Sequence, residues 1–203
     1  MTCSIDEKRL EKTIAFHGHR CPGLAIGIRA AELALQRLGD IAGKDRVAVV
    51  ETDMCGVDAI QFLTGCTLGQ GNLIQKDYGK MAFSFYDRTT GNGFRALLRP
   101  KIQGEDGLKL GALMKKVFGN TASPEEQRAY EHLNLAMQQR YLQATLEEMF
   151  DIKETKLPAP RPAVILQSLC CAACGEMTME SRTRRFDGNT LCIPCFERTE
   201  QKI

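Results

Sequence analysis

The sequence predicts a chain of mixed helices and strands, closed by a small module that a metal holds together. Three observations point there. Helical and strand periodicities alternate along most of the chain, a Thr90-Gly91-Asn92-Gly93 turn joins two strand-like runs, and two C-x2-C pairs stand near the C-terminus.

The elements follow in order. Ile5 to Phe16 reads as an amphipathic helix, with Ile5, Leu10, Ile14 and Ala15 on its apolar side. His17-Gly18-His19-Arg20-Cys21-Pro22-Gly23 then interrupts the pattern with its glycine and proline breakers. Leu24 to Leu38 is rich in Ala, Leu and Ile and is stopped by Gly39, which predicts a mostly buried helix. Arg46 to Glu51 carries Val47, Val49 and Val50 and reads as a strand. Val57 to Thr64 is a short apolar helix closed by Gly65, and the polar, glycine-spaced Leu68 to Asp77 reads as a loop. Met81 to Asp87 and Phe94 to Arg99 are the two strands of the expected hairpin, which Pro100 ends.

Leu108 to Val117 predicts a helix ended by Gly119. A long helix then starts with clear signals. Ser123 can cap it, Pro124 suits its first position, and Glu126 completes a capping box. Its apolar stripe runs from Tyr130 through Leu133, Met137 and Tyr141 down to Phe150. Leu157 to Pro162 is a stiff proline segment. It divides the chain into a core over 1–157, a linker over 158–168 and a cysteine module over 169–203.

The 203 residues leave room for one medium domain and a small appendage, and a 43% hydrophobic share supplies a core. A net charge of +2 is too small to attract nucleic acid through bulk electrostatics. No apolar stretch marks a leader at the N-terminus, and no run reaches the length of a membrane helix. The expectation is a cytoplasmic protein with no membrane partner. There thiols stay reduced, and nine cysteines are then metal ligands or reactive groups rather than disulfides.

Cys171-x2-Cys174 is separated by seventeen residues from Cys192-x2-Cys195, the two-knuckle spacing of a structural zinc site. The Asp187-Gly188-Asn189 turn between the pairs allows a small hairpin. So short a segment buries too little to fold alone, and the metal would supply the folding energy. Cys170 is a neighbour rather than a ligand, since it would make a less usual C-x3-C. From Cys170 onward five basic residues (Arg182, Arg184, Arg185, Arg198, Lys202) face five acids (Glu176, Glu180, Asp187, Glu197, Glu200). That balance argues against a nucleic-acid-reading finger and for a structural or protein-docking one.

A second cluster lies near the N-terminus. Two of the three histidines, His17 and His19, alternate with Gly18 and Arg20 before Cys21. An extended loop would point all three side chains to one side. Pro22 places Cys21 at a helix N-cap, where free amides and the helix dipole would lower a thiol's pKa. A thiolate beside two imidazoles is either a metal site or an activated nucleophile, with Cys21 the candidate catalytic residue. Cys55 follows a strand and precedes a helix, a position that commonly faces a cleft, with Glu51, Asp53 and Asp58 close in sequence. Cys66 lies just past that helix and is equally readable as a core residue. Cys3 reads as an incidental terminal thiol and His132 as a surface or packing residue. No phosphate loop, dinucleotide fingerprint or serine triad is present.

Phe16-His17-Gly18-His19-Arg20-Cys21-Pro22-Gly23-Leu24-Ala25-Ile26-Gly27 resembles the signature of the FmdE family, named for one subunit of formylmethanofuran dehydrogenase. The blocks Asp53 to Gln61, Thr64 to Leu73 and Asp77 to Phe83 match the family's next segments in order, and the four-cysteine tail is similar to the zinc-finger extension many members carry. The likeness covers most of the chain and is weakest from Gly104 to Pro162. Gln70 stands where the family pattern prefers Lys.

The resemblance implies an α+β core, an antiparallel or mixed sheet packed with helices, followed by a zinc-ribbon-like module. It also implies a homodimer and a metal or thiol site drawn from His17, His19, Cys21, Cys55 and Cys66. The family's name comes from a component associated with a molybdenum or tungsten enzyme that fixes carbon dioxide.

Three functions are therefore open. One is a zinc or other transition-metal centre in the core, in an accessory or redox-related subunit of one-carbon or molybdoenzyme chemistry. The second is a metal-free thiol enzyme using Cys21 with His17 or His19. The third is a non-catalytic module whose structural-zinc tail docks a larger enzyme complex.

Overall fold

The computed structural model describes residues 2–39, 41, 43–155 and 158–199. Leu157, which opens the expected linker, and Glu200 and Lys202 of the tail's charge count lie outside the described residues. Two compact units are present, Met1–Pro162 and Ala163–Ile203. Among the described residues no helix is long and apolar enough to cross a membrane.

The first unit is a five-stranded sheet packed with helices, an α+β fold. Helix α1 (Glu7–His17) is capped by Asp6, whose side chain accepts a hydrogen bond from the Arg9 amide. Helix α2 (Pro22–Leu38) carries Pro22 in its first turn, where the missing N–H costs nothing. Strand β1 (Arg46–Val50) is buried at every position, which explains its nearly continuous apolar run. Helix α3 (Gly56–Thr64) follows, then β2 (Leu73–Gln75), β3 (Ala82–Asp87) and β4 (Gly93–Leu98). Helices α4 (Gly104–Phe118) and α5 (Pro124–Gln143) form a helical hairpin, and a single turn α6 (Leu146–Met149) leads into β5 (Phe150–Glu154).

The strand order is β2-β1-β3-β4-β5, with β1 and β2 parallel and the remaining neighbours antiparallel. Asp87 closes the β3–β4 hairpin by accepting from the Thr89 amide and the Thr89 and Thr90 hydroxyls, with Gly91 at φ 73°. The main core lies between one face of this sheet and the helices. Ala48, Val50, Phe83, Phe85, Phe94 and Ala96 meet Ala30 and Leu33 of α2, Ile60 of α3 and Met137 and Tyr141 of α5.

Several expectations change. His17 is the last residue of α1, not part of an extended loop, because Gly18 at φ 95° terminates the helix there. The segment read as a loop from Leu68 to Asp77 contains β2, too short to show periodicity. The long C-terminal helix stops at Gln143. Thr145 opens a new capping box with Glu148, and β5 follows, paired with β4. The proline segment folds back on the sheet. Arg88 donates to the Pro160 and Arg161 carbonyls, and Ala159 packs beside Val47, Val49 and Tyr86.

The second unit holds two hairpins and one short helix. Strands β6 (Ser168–Cys170) and β7 (Met177–Met179) pair, as do β8 (Thr183–Phe186) and β9 (Asn189–Cys192), and α7 (Ile193–Arg198) completes it. Its buried residues are Cys171, Leu191 and Cys192, supported by Phe186, Cys195 and Phe196.

Candidate metal centres

The core cluster is built at three helix ends. His17 closes α1. Cys21 is the N-cap of α2 and accepts from the Leu24 amide at 3.3 Å. Cys55 is the residue before α3. One ligand atom from each of His17, His19, Cys21 and Cys55 lies within 4.8 Å of all the others. Two imidazoles and two thiols at that spacing make a donor set suited to zinc or another soft transition metal.

The approach of α2 to α3 creates this spacing. A Cβ built on Gly27 would sit 2.1 Å from the Gly56 carbonyl oxygen and 2.3 Å from its Cα. Gly23, one turn earlier, faces Cys55 itself. Only hydrogens fit between the two backbones, so the helices meet at their N-terminal turns and carry Cys21 and Cys55 together.

The imidazole of His17 is oriented by Asp58. Its Nδ1 lies 2.8 Å from the Asp58 carboxylate, and Nε2 faces Cys21 Sγ at 3.8 Å. The His17 side chain is only 9% exposed. A carboxylate behind a ligating histidine fixes its tautomer and raises its basicity. Replacing Asp58 with asparagine is therefore expected to weaken metal binding at this cluster about 10- to 100-fold. Competition against a chromophoric chelator measures this, with the four-cysteine cluster as internal control.

Sequence reasoning expected a lowered pKa for Cys21. In the metal-free protein the thiol is instead pushed up to about 11, by burial first and then by Cys55, against the Leu24 amide that favours the thiolate. A protonated thiol is a poor nucleophile, so metal-free catalysis by Cys21 loses its main support. A bound cation would compensate both sulfurs at once.

Two open clefts share the cluster. One, of about 360 Å³, is lined by His17, Asp53, Cys55, Asp58, Gln61 and Gln75, with Met54, Val57, Leu68 and Leu73 as its apolar part. The other, of about 330 Å³, is lined by His19, Arg20, Cys21, Glu131, Asn134 and Gln138, with Tyr130 and Leu135. The polar side of α5 was missed from sequence, because a helix stripe read for its core face says nothing about what the opposite face lines.

Other candidates lie elsewhere. Cys66 is fully buried in the main core, its thiol donating to the Arg46 carbonyl, and its pKa is raised by that burial. Glu51 turns to the fork of Arg95, at 2.6 and 2.8 Å, which holds its carboxyl below the usual range. Gln70 is exposed and lines neither cleft.

In the second unit the Sγ atoms of Cys171, Cys174, Cys192 and Cys195 also lie within 4.8 Å of one another. Cys170 points away, toward the Gly175 carbonyl. The Cys192 amide donates to Cys171 Sγ at 3.3 Å and, with other amides, lowers that thiol to about 6. The adjoining thiols of Cys192 and Cys174 push Cys195 up to about 12. Four thiols so close cannot ionise together without a cation, and this cluster fits a zinc site.

Comparison with known proteins agrees with both units. Residues 16–151 match the family described as FmdE, Molybdenum formylmethanofuran dehydrogenase operon. The chain belongs to the FmdE family. Residues 165–201 of this FmdE-family chain match the prokaryotic dksA/traR C4-type zinc finger. The crystal structure of an FmdE-like protein of tungsten formylmethanofuran dehydrogenase from Syntrophus aciditrophicus superposes with a TM-score of 0.61 at 26% identity, over 97% of this chain and 95% of that one. A curated Archaeoglobus fulgidus protein, "Probable S-adenosyl-L-methionine-binding protein", is 30% identical over 190 residues, 89% of this chain and 50% of its own length. The FmdE-family chain thus spans about half of that relative.

Proposed function

We propose that this FmdE-family protein holds a transition metal, zinc by donor softness, at His17, His19, Cys21 and Cys55, and that it serves as an accessory or redox-related subunit in one-carbon chemistry. The observation that carries the reading is the convergence of those four ligand atoms within 4.8 Å, backed by Asp58 on His17. A metal there would act as a Lewis acid at a centre open to two clefts. His17, Cys21 and Cys55 are half-buried and anchor the site, whereas His19 is exposed and can yield to an incoming ligand.

The link to a molybdenum or tungsten formylmethanofuran dehydrogenase rests on the family's description and on the likeness to the Syntrophus protein. A cytoplasmic location follows from the reduced-thiol chemistry of both clusters. Assembly as a homodimer, and within a larger complex, is supported by Leu108 and Phe118 of α4, which are 77% and 71% exposed on a helix with no buried residue.

Cobalt substitution tests the centre. Cobalt(II) thiolates give charge-transfer absorption that scales with the number of sulfurs bound. The protein is expected to show more than the four thiolates of the finger, and Cys55→Ser is expected to remove one increment. A spectrum identical in the two proteins would refute a core metal held by Cys55.

A further inference from the structure

We propose that the cleft on the α3 side of the core cluster binds a small organic cation, and that this ligand presents a donor atom to the metal. The inference rests on the metal-centre reading above and adds the class of ligand and its side of approach.

Charge decides the side. A divalent ion held by the Cys21 and Cys55 thiolates is a neutral centre, so each cleft takes its sign from its other residues. The α5-side cleft balances Arg20 against Glu131. The α3-side cleft has Asp53 and Asp58 and no basic residue in its lining; Lys76, next to Gln75, stays outside it. Asp58 is engaged by His17, whereas Asp53 is exposed, with no hydrogen bond or ion pair from its side chain among the described residues. Asp53 is thus the carboxylate able to meet a cation.

The rest of the lining favours an organic cation over a bare one. Met54, Val57, Leu68 and Leu73 offer apolar contact, and Leu68 is 61% exposed. A hydrated metal ion gains nothing from such a surface, while an ammonium on a carbon body gains contact at both ends. The amides of Gln61 and Gln75 add polar contacts. About 360 Å³ suits a small molecule, and His17 and Cys55 in the same lining put its donor atom beside the metal. His17 is the second sign of a ligand here. Its side chain is nine-tenths buried, and its Nε2 has only the Cys21 sulfur, at 3.8 Å.

Three thiols of different charge test this on the full cobalt-loaded chain: thiocholine (cationic), 2-mercaptoethanol (neutral) and 3-mercaptopropionate (anionic). Each is titrated while the cobalt spectrum is followed, with midpoints expressed as thiolate concentration. The finger, closed by four cysteines, contributes no change. Wild type is expected to prefer thiocholine. Asp53→Asn is expected to weaken thiocholine about fivefold or more, leave mercaptoethanol within about twofold, and not weaken mercaptopropionate. The cobalt spectrum before thiol addition should be the same in wild type and Asp53→Asn.

An unchanged thiocholine midpoint in Asp53→Asn overturns the proposal, as does a wild-type preference for mercaptopropionate. A cobalt spectrum insensitive to Cys55→Ser overturns the metal reading itself, and this inference with it.

Discussion

Gly27→Ala is expected to empty the core metal centre while leaving the finger loaded. The added methyl would lie 2.1 Å from the Gly56 oxygen and 2.3 Å from its Cα, both backbone atoms that cannot rotate aside. Helices α2 and α3 must therefore part. Overpacking of this kind costs about 1–3 kcal/mol, which a folded core can absorb. A metal site cannot absorb it, because ligand distances must hold to within about 0.2 Å. Cys21 rides on α2 and Cys55 on α3, so their separation changes directly. The expected loss in core affinity exceeds about 100-fold, with the far-ultraviolet circular dichroism of a folded protein retained. Gly111→Ala is the control. It sits in α4, where an added Cβ meets nothing within 4 Å, and it should leave metal content unchanged. Full core occupancy in Gly27→Ala would show that the close approach does not set the site.

Cys171→Ser is expected to unfold the second unit and spare the first. That unit buries little besides its own metal-binding cysteines, with Leu191 fully enclosed and Phe186 and Phe196 meeting edge-on at 6.2 Å. Structural zinc sites of this kind supply roughly 10–16 kcal/mol of apparent binding energy, far more than so small a core provides. Losing Cys171 removes a thiolate at the centre of the knot, to which the Cys192 amide donates. Amide exchange should then become fast throughout 163–199 and stay slow in the strands of the first unit. Cys170→Ser should change nothing, since that thiol faces away from the cluster. Retained protection in Cys171→Ser would mean that the unit folds without its metal.

What the sequence disclosed, and what it did not, follows physical lines. The finger was legible because four like ligands at fixed spacing have few other uses. Helices α2 and α5 were legible through caps: Pro22 and Ser123-Pro124-Glu126 mark their starts, and the capping box forms as expected. The core cluster was readable as a group, since His17, His19, Cys21 and Cys55 converge. Its geometry was not. An extended loop was expected where α1 runs on to His17 and Gly18 turns the chain. Cys66 looked eligible in one dimension and proves to be a core residue in three, donating to the Arg46 carbonyl.

Strand β5 was hidden because the apolar residues after Gln143 continue the helical stripe, although Phe150-Asp151-Ile152-Lys153 alternates as an edge strand does. The direction of the Cys21 pKa was missed for a similar reason. A helix N-terminus lowers a thiol's pKa, but burial and a second thiol oppose it, and only the fold shows how strongly.

The measurement that bears most directly on the core centre is metal content per chain, taken by elemental analysis on the full protein and on the Cys21→Ser/Cys55→Ser double variant. The proposed arrangement predicts about two metal ions in the first and about one in the second, with the remaining ion held by the finger. One ion in both proteins would contradict it.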